Sequence, residues 1–376
     1  MINRTLIKGI QDQLLKEKQK VIVLFGPRQV GKTTLVNEIL EQSTFSYLKI
    51  NAEDIRFNEV FSSSNLDIMM SLVEDNQILF IDEAQMITDI GVNLKILHDA
   101  KPNLKIIVTG SSSFELANRM QEPLTGRIVT YKLFPFSIKE ISEEQSRFDI
   151  AQNRNDYLLY GLYPEVYMLE KKKEKVDLLY HLASSYLYKD ILQLLNLKHS
   201  EKLSKLLKLL ALQLGSTVSI NKLANALDMS SETVQNYIDL LEKSFVIFRL
   251  SAFSKNKTKE ISKSDKIYFY DLGIRNALIE NFAPISSRTD IGGLWENFVI
   301  TERAKKLSYE REYITPYFWR TYNGAEIDYI EEKDQILNAF EIKYGSKKGK
   351  LPTTWRENYG ESFQSINESN WVNWVY

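Results

Sequence analysis

The chain is predicted to be α/β. It opens with a parallel sheet carrying helices on both faces, passes through a helical stretch and a helix-turn-helix, and closes with a smaller α/β part. Three observations carry this. Through residues 1–135, apolar runs of strand length alternate with segments of helical apolar spacing, the pattern of strand–helix–strand units. The apolar runs pass straight into polar motifs, as expected when strand carboxyl ends share one crevice. From residue 136 helical spacing dominates, and short alternating strands return only towards the end. A length of 376 residues suits two or three domains, and 44% hydrophobic content with 11% aromatics is enough for real cores.

Thr5 to Lys18 reads as an amphipathic helix ending in a solvated Lys/Glu/Gln run. Val21 to Phe25, VIVLF, reads as a buried strand, broken at Gly26-Pro27. The next residues fit G-x-x-x-x-G-K-[ST] at Gly26, Gly31, Lys32 and Thr33, and Leu35, Val36, Ile39 and Leu40 give the following segment a helical period. The loop through Pro27, Arg28, Gln29 and Val30 to Thr34 is expected to wrap backbone N–H groups around phosphates at a helix N-terminus. Lys32 is expected to reach the β- and γ-phosphates of ATP, and the Thr33 hydroxyl to ligate Mg²⁺. This is a P-loop nucleotide site set between a strand and a helix.

Phe45 to Asn51 reads as a second strand. Ile78 to Ile81 runs into Asp82-Glu83, where Asp82 is expected to hold Mg²⁺ through water and Glu83 to polarise the attacking water. The plainer reading is two solvated acids at a strand end. Lys105 to Thr109 is a third buried strand, ending in TGSSS. There Thr109 or Ser111 is placed to touch the γ-phosphate or the attacking water, while the serines also suit capping of the next helix. Arg119 follows, then Arg127 before a strand, IVTYKL. Arg127 has two readings: an arginine finger facing a neighbouring subunit's nucleotide, or a surface salt bridge.

Composition narrows the partners. Lys+Arg number 48 and Asp+Glu 49, a net charge of −1, so no global basic field advertises nucleic acid and any such contact must be a local patch. There is no cysteine, which excludes disulfides and thiolate chemistry. The first residues show no apolar core of signal-peptide length, and no apolar run approaches the roughly 20 residues that span a bilayer. A cytoplasmic setting without membrane association is expected.

GPRQVGKTTL, LFIDEAQ, VTGSSS and LTGR together resemble a bacterial and archaeal family of AAA+-like ATPases, whose second half is catalogued as a domain of unknown function. GLYPEVY, YLYKDIL, KIYFYDLGIRNAL, LWENFV and YFWRTYNGAEIDY extend the resemblance over nearly the whole chain. It implies that the helices of residues 136–205 form a lid closing over the nucleotide. The residues themselves show only helices, with Tyr157, Tyr160, Tyr163 and Tyr167 as a packing stripe.

Residues 206–270 read as a winged helix-turn-helix. Ser219 to Leu227 and Glu232 to Leu241 are amphipathic helices broken at Asp228-Met229-Ser230-Ser231, and Phe245 to Phe253 with Lys266 to Tyr270 suit a hairpin. The tip, SKNKTKEISKSDK, carries five lysines against two acids. One reading puts Ser231, Thr233, Gln235 and Asn236 in a DNA major groove with the lysines on phosphates. The other is a protein–protein module, since the second helix's exposed face is polar without being basic.

Residues 271–376 carry Glu296 on a helix from Leu294 to Lys305, Asp328 on a strand from Ala325 to Ile330, and Glu341 and Lys343 two apart on a strand from Ala339. This is the order of D…(D/E)-x-K nucleases. Asp328 and Glu341 are expected to hold Mg²⁺, Lys343 to activate water, and Glu296 to add a ligand. The resemblance implies a restriction-endonuclease-like fold, although Ile327 stands where a proline usually precedes the first Asp. Trp319, Tyr322 and Tyr329 read as packing, Lys347 to Pro352 as a solvated loop, and the tail as a final strand or two. The expectation is thus an ATPase coupled to a C-terminal module acting on DNA, assembled as a homo-oligomer or with a protein partner. The alternative is a nucleotide-driven switch or scaffold whose nuclease-like part is inactive and whose partner is a protein.

Overall fold

The computed structural model describes residues 2–110, 123–186, 200–254 and 265–376. Ser111, Arg119 and the lysines of residues 255–263 lie outside the described residues. The chain divides into two compact units: Asn3–Phe134 with Lys243–Phe245, and Pro135–Glu242 with Val246–Tyr376.

The first unit is built on a five-stranded sheet ordered β2-β3-β4-β1-β5. Its strands are β1 (Val21–Phe25), β2 (Tyr47–Asn51), β3 (Ile78–Asp82), β4 (Lys105–Gly110) and β5 (Ile128–Lys132). Every pairing is parallel. β1 and β3 are buried at all five positions, which is why they read as unbroken apolar runs: both of their faces are covered. Helices α1 (Leu6–Leu14), α2 (Lys32–Glu41), α3 (Ile55–Ser62), α4 (Leu66–Val73) and α5 (Ile90–Ala100) lie along the first hundred residues. α1 stops four residues short of the expected Lys18, because Leu15 is 71% exposed and the residues after it give no apolar face to continue. Register levels the strand ends: Asn51 pairs with Asp82, Ile81 with Val108 and Phe25 with Gly110. The motifs therefore meet along one edge of the sheet.

The second unit has a six-stranded mixed sheet ordered β11-β10-β9-β8-β6-β7. The strands are β6 (Ile247–Ala252), β7 (Lys266–Phe269), β8 (Thr315–Arg320), β9 (Glu326–Lys333), β10 (Ile336–Ile342) and β11 (Phe363–Ile366). A helix from Ile291 to Glu310 contributes Trp295, Phe298 and Ile300 to a core shared with Leu158, Leu206, Ile238, Phe318, Phe340 and Trp371. A smaller core of Phe253, Trp319, Ile327 and Trp355 forms separately.

This differs from the sequence-based expectation in three ways. The boundaries at 205 and 270 do not separate cores. The β6–β7 hairpin joins the C-terminal sheet by parallel pairing of Ser251 with Tyr317 and Ala252 with Phe318, covering an edge that an isolated hairpin would leave open. The tail ends in a helix, Trp371–Val375, after one strand, and a further helix, Thr353–Tyr359, lies between the expected loop of residues 347–352 and that tail. Trp371, Trp374 and Val375 sit at helical spacing and are buried, but five residues are too few for that period to declare itself in sequence. Finally, Trp319 and Tyr329 are packed as expected, whereas Tyr322 is fully exposed.

Candidate active site

At the carboxyl end of β1 the chain turns through a loop whose backbone only certain residues tolerate. Gln29 and Gly31 have φ of 54° and 93°, the left-handed region that directs successive amides inward. A Cβ at Gly26 would stand 2.2 Å from the Leu133 carbonyl oxygen, so only glycine lets the loop pack there. Lys32 opens α2 and is 5% exposed; its ammonium donates to the Gly26 and Pro27 carbonyls, both at 2.9 Å. The loop thus curls around its own lysine. Pro27 is buried, Arg28 and Thr33 are half-buried, Val30 is buried, and Gln29 and Thr34 are exposed.

Thr33 donates its hydroxyl to Asp82 Oδ2 at 2.8 Å, joining the start of α2 to the end of β3. A hydroxyl and a carboxylate side by side at a phosphate-binding loop are the hard oxygen donors that suit Mg²⁺. Glu83 follows with φ 53°, an uncommon conformation for a residue with a side chain and one that concentrates at functional sites. Gln85 donates to Glu83 Oε2 at 2.5 Å. Its place in DEAQ was visible in sequence, but its partner was not.

Thr109 is fully buried. Its hydroxyl donates to Asp82 Oδ1 and accepts the Glu83 amide at 3.3 Å. The sequence suggested contact with the γ-phosphate or the attacking water; within the chain this hydroxyl holds the two acids. Arg127 shows, within its own chain, the salt bridge that was one of its two readings. It precedes β5, and its carbonyl accepts the Val21 amide, so it lies at the amino edge of the sheet, about 16 Å of strand from the phosphate loop. Its guanidinium pairs with Asp99 at 3.0 Å. Within its own chain it is a salt bridge and is not near the loop.

In the second unit Glu296, Asp328, Glu341 and Lys343 are brought together. Two residues of β9, Asp328 and Tyr329, stand opposite Phe318 alone, because Ile327 pairs with Trp319 and Ile330 with Tyr317. Such a bulge re-aims a side chain. Here Asp328 Oδ2 accepts the Ile342 amide at 2.8 Å, just past the last paired residues of β9 and β10. The Lys343 ammonium lies 2.6 Å from Glu341 and 3.5 Å from Asp328. Burial opposes its charge, yet Asp328 and Glu341 outweigh that and hold it above the usual lysine value. Burial pushes Glu341 up, with Asp328 adding to it.

The unexpected member is Lys266. Counted by sequence with the lysine-rich tip, it is 1% exposed, and its ammonium lies 2.6 Å from Glu326, 3.1 Å from Glu296 and 4.0 Å from Asp328. Tyr268 donates to Glu296 at 2.5 Å. Burial drives the Glu296 carboxyl up to about 7, against the pull of Lys266. Lys266, Glu326 and Tyr268 gave no signal in sequence; a lysine ending a lysine-rich run reads as solvated. Among the described residues no group of three or more His, Cys, Asp or Glu side chains is arranged to hold a metal ion.

Helices Ile220–Leu227 and Ser231–Lys243 turn at Asp228, φ 50°. Ser230 caps the second by accepting the Thr233 amide at 3.0 Å. Ser231 donates to Asn221 and Gln235 to Asp239, both at 2.8 Å, and the Thr233 hydroxyl lies 2.7 Å from that of Ser230, so three of the four residues expected to face DNA are tied within the chain; Asn236 is exposed.

Comparison with known proteins matches three successive stretches of the chain. Residues 18–142 match a family model described as an AAA domain, so this stretch is similar to AAA-type P-loop ATPase domains. Residues 151–285 and 291–366 match models each described only as a domain of unknown function, DUF8612 and DUF4143. An uncharacterized protein of Mycobacterium tuberculosis is 28% identical over 331 residues, covering 86% of this chain and 70% of its own length. One of Haemophilus influenzae is 25% identical over 352 residues, covering 87% and 84%. Among solved structures, the Walker-type ATPase of Pyrococcus abyssi has a TM-score of 0.49 at 16% identity, covering 74% of this chain and 96% of that one. The RuvB Holliday junction branch migration motor of Thermotoga maritima has a TM-score of 0.35 at 18% identity, covering 69% and 95%. No helix among the described residues is long and apolar enough to cross a membrane.

Proposed function

We propose that this chain hydrolyses ATP, and that its nucleotide state acts on the C-terminal unit, which engages DNA. The observation that carries the first part is the meeting of Lys32, Thr33, Asp82 and Glu83 at one sheet edge. In this reading the loop amides and Lys32 bind the phosphates, and the Lys32 ammonium exchanges its two carbonyls for phosphate oxygens. Thr33 and Asp82 would hold Mg²⁺, which supplies charge neutralisation at the phosphates when bound. Glu83, oriented by Gln85 and by the hydrogen bond its backbone N–H donates to the Thr109 hydroxyl, holds the attacking water and takes its proton. Lys32→Ala should abolish tight ATP binding. Glu83→Gln should keep binding and lose turnover by a factor on the order of 10². Turnover retained in Glu83→Gln would place the base elsewhere.

DNA engagement rests on the two helices at 220–243 and the lysines between residues 255 and 263. ATP turnover with and without duplex DNA, and DNA affinity against salt, test it directly. A second reading is a nucleotide-driven switch that binds a protein partner and whose nuclease-like part does not cut. What favours it is the buried Lys266 among the carboxylates. Absence of both DNA-stimulated turnover and salt-dependent binding would decide for the switch. Equal nicking of plasmid by the parent, Asp328→Ala and Lys343→Ala in Mg²⁺ or Mn²⁺ would end the nuclease reading.

A further inference from the structure

We propose that Lys266 is a built-in cation: its ammonium takes the carboxylates of Glu296, Glu326 and Asp328 as its partners, and so closes the C-terminal carboxylate cluster to metal. This stands apart from the ATP site and does not depend on it.

The geometry fixes where that positive charge lies. Three carboxylates from two elements, the helix Ile291–Glu310 and β9, face one ammonium at 2.6, 3.1 and 4.0 Å. The ammonium also lies 5.4 Å from the centre of the Phe318 ring, whose negative face suits a cation. The side chain is 2% exposed and its backbone is pinned, since Lys266 pairs with Leu250 on β6 and bridges Thr217. An ammonium buried this deeply stays only where carboxylates answer it.

The acceptors are also committed. Glu296 Oε1 takes both Lys266 and the Tyr268 hydroxyl. Asp328 Oδ2 takes the Ile342 amide and faces Lys343, which binds Glu341 as well. Mg²⁺ or Mn²⁺ asks for near-octahedral oxygens at about 2.0–2.2 Å. For these carboxylates to close round such an ion, they must leave Lys266 and hold a double positive charge beside a single one. Lys343 keeps the position expected of the E-x-K lysine, so Lys266 is a second ammonium and does not stand in for it.

The test is titration of the nucleotide-free, full-length chain with Mn²⁺, reading free ion by electron paramagnetic resonance. Wild type should retain no ion that depends on Asp328. Lys266→Met should gain one Mn²⁺ per chain, bound at least about tenfold tighter than by wild type, and Lys266→Met with Asp328→Asn should lose that gain. A folded Lys266→Met protein that gains no ion would overturn the proposal. So would a wild-type site for Mn²⁺ that Asp328→Asn removes, and that comparison decides the matter even if Lys266→Met fails to fold.

Discussion

Replacing Thr109 with valine keeps the shape of the side chain and removes one hydroxyl. That hydroxyl is fully buried and serves two partners, Asp82 Oδ1 and the Glu83 amide. Valine leaves both without it, while Asp82 Oδ2 keeps Thr33. An unmade buried hydrogen bond costs about 1–3 kcal/mol. Two of them, with Glu83 half-buried, put the loss near 2–4 kcal/mol, a fall in Tm of roughly 10 °C for a unit of this size. The catalytic effect should be separable. Lys32 is held by the Gly26 and Pro27 carbonyls and Thr33 by Asp82 Oδ2, so KM for ATP should change by less than about threefold, whereas kcat should fall on the order of 10² as Glu83 drifts by about an ångström. Thr109→Ser should restore most of both. Steady-state ATPase kinetics with a thermal melt read the two effects side by side. If Thr109→Val melts early but keeps kcat, the hydroxyl is only structural. If KM rises as far as kcat falls, it touches nucleotide, and the positioning role is wrong.

Three more predictions rest on charges. Glu302 and Lys305 form a pair 2.6 Å apart, each side chain 2% exposed, and also bind the Ile138 amide and the Phe136 carbonyl. Lys305→Met should destabilise by about 3–5 kcal/mol in urea unfolding, and adding Glu302→Gln should recover part of it, since a lone buried charge is worse than none; no recovery would deny the coupling. Glu296 titrates near 7 in the fold against an ordinary 4.5, so its contribution is complete below about pH 4.5 and is lost, up to about 3 kcal/mol, as pH rises through 7. The stability of Glu296→Gln relative to the parent should therefore improve from about pH 5 to about pH 8; an unchanged gap would refute this. Arg127→Ala should leave turnover within about twofold, because its partner is Asp99, while a loss on the order of 10³ would mark it as a finger acting on a neighbouring copy.

The nucleotide loop was legible because its determinants are neighbours in the chain. Gly26, Gly31, Lys32 and Thr33 lie within eight residues, and the strand before them is apolar at every position because both its faces are buried. The same locality made Asp82-Glu83 readable as a strand end. The partners of these groups were not legible. Thr109 reaches Asp82 across 27 residues, and only parallel register brings β4 level with β3. Lys266 ends a run of lysines that suggests solvent, yet it is buried against Glu296 and Glu326, 30 and 60 positions away, because β7 joins a sheet whose strands come from two halves of the unit. Local sequence thus determined which backbone can cradle phosphate. Which side chains hold that cradle's acids, and which ammonium answers the second cluster, was decided by strand register and burial, which depend on contacts that no short window of sequence contains.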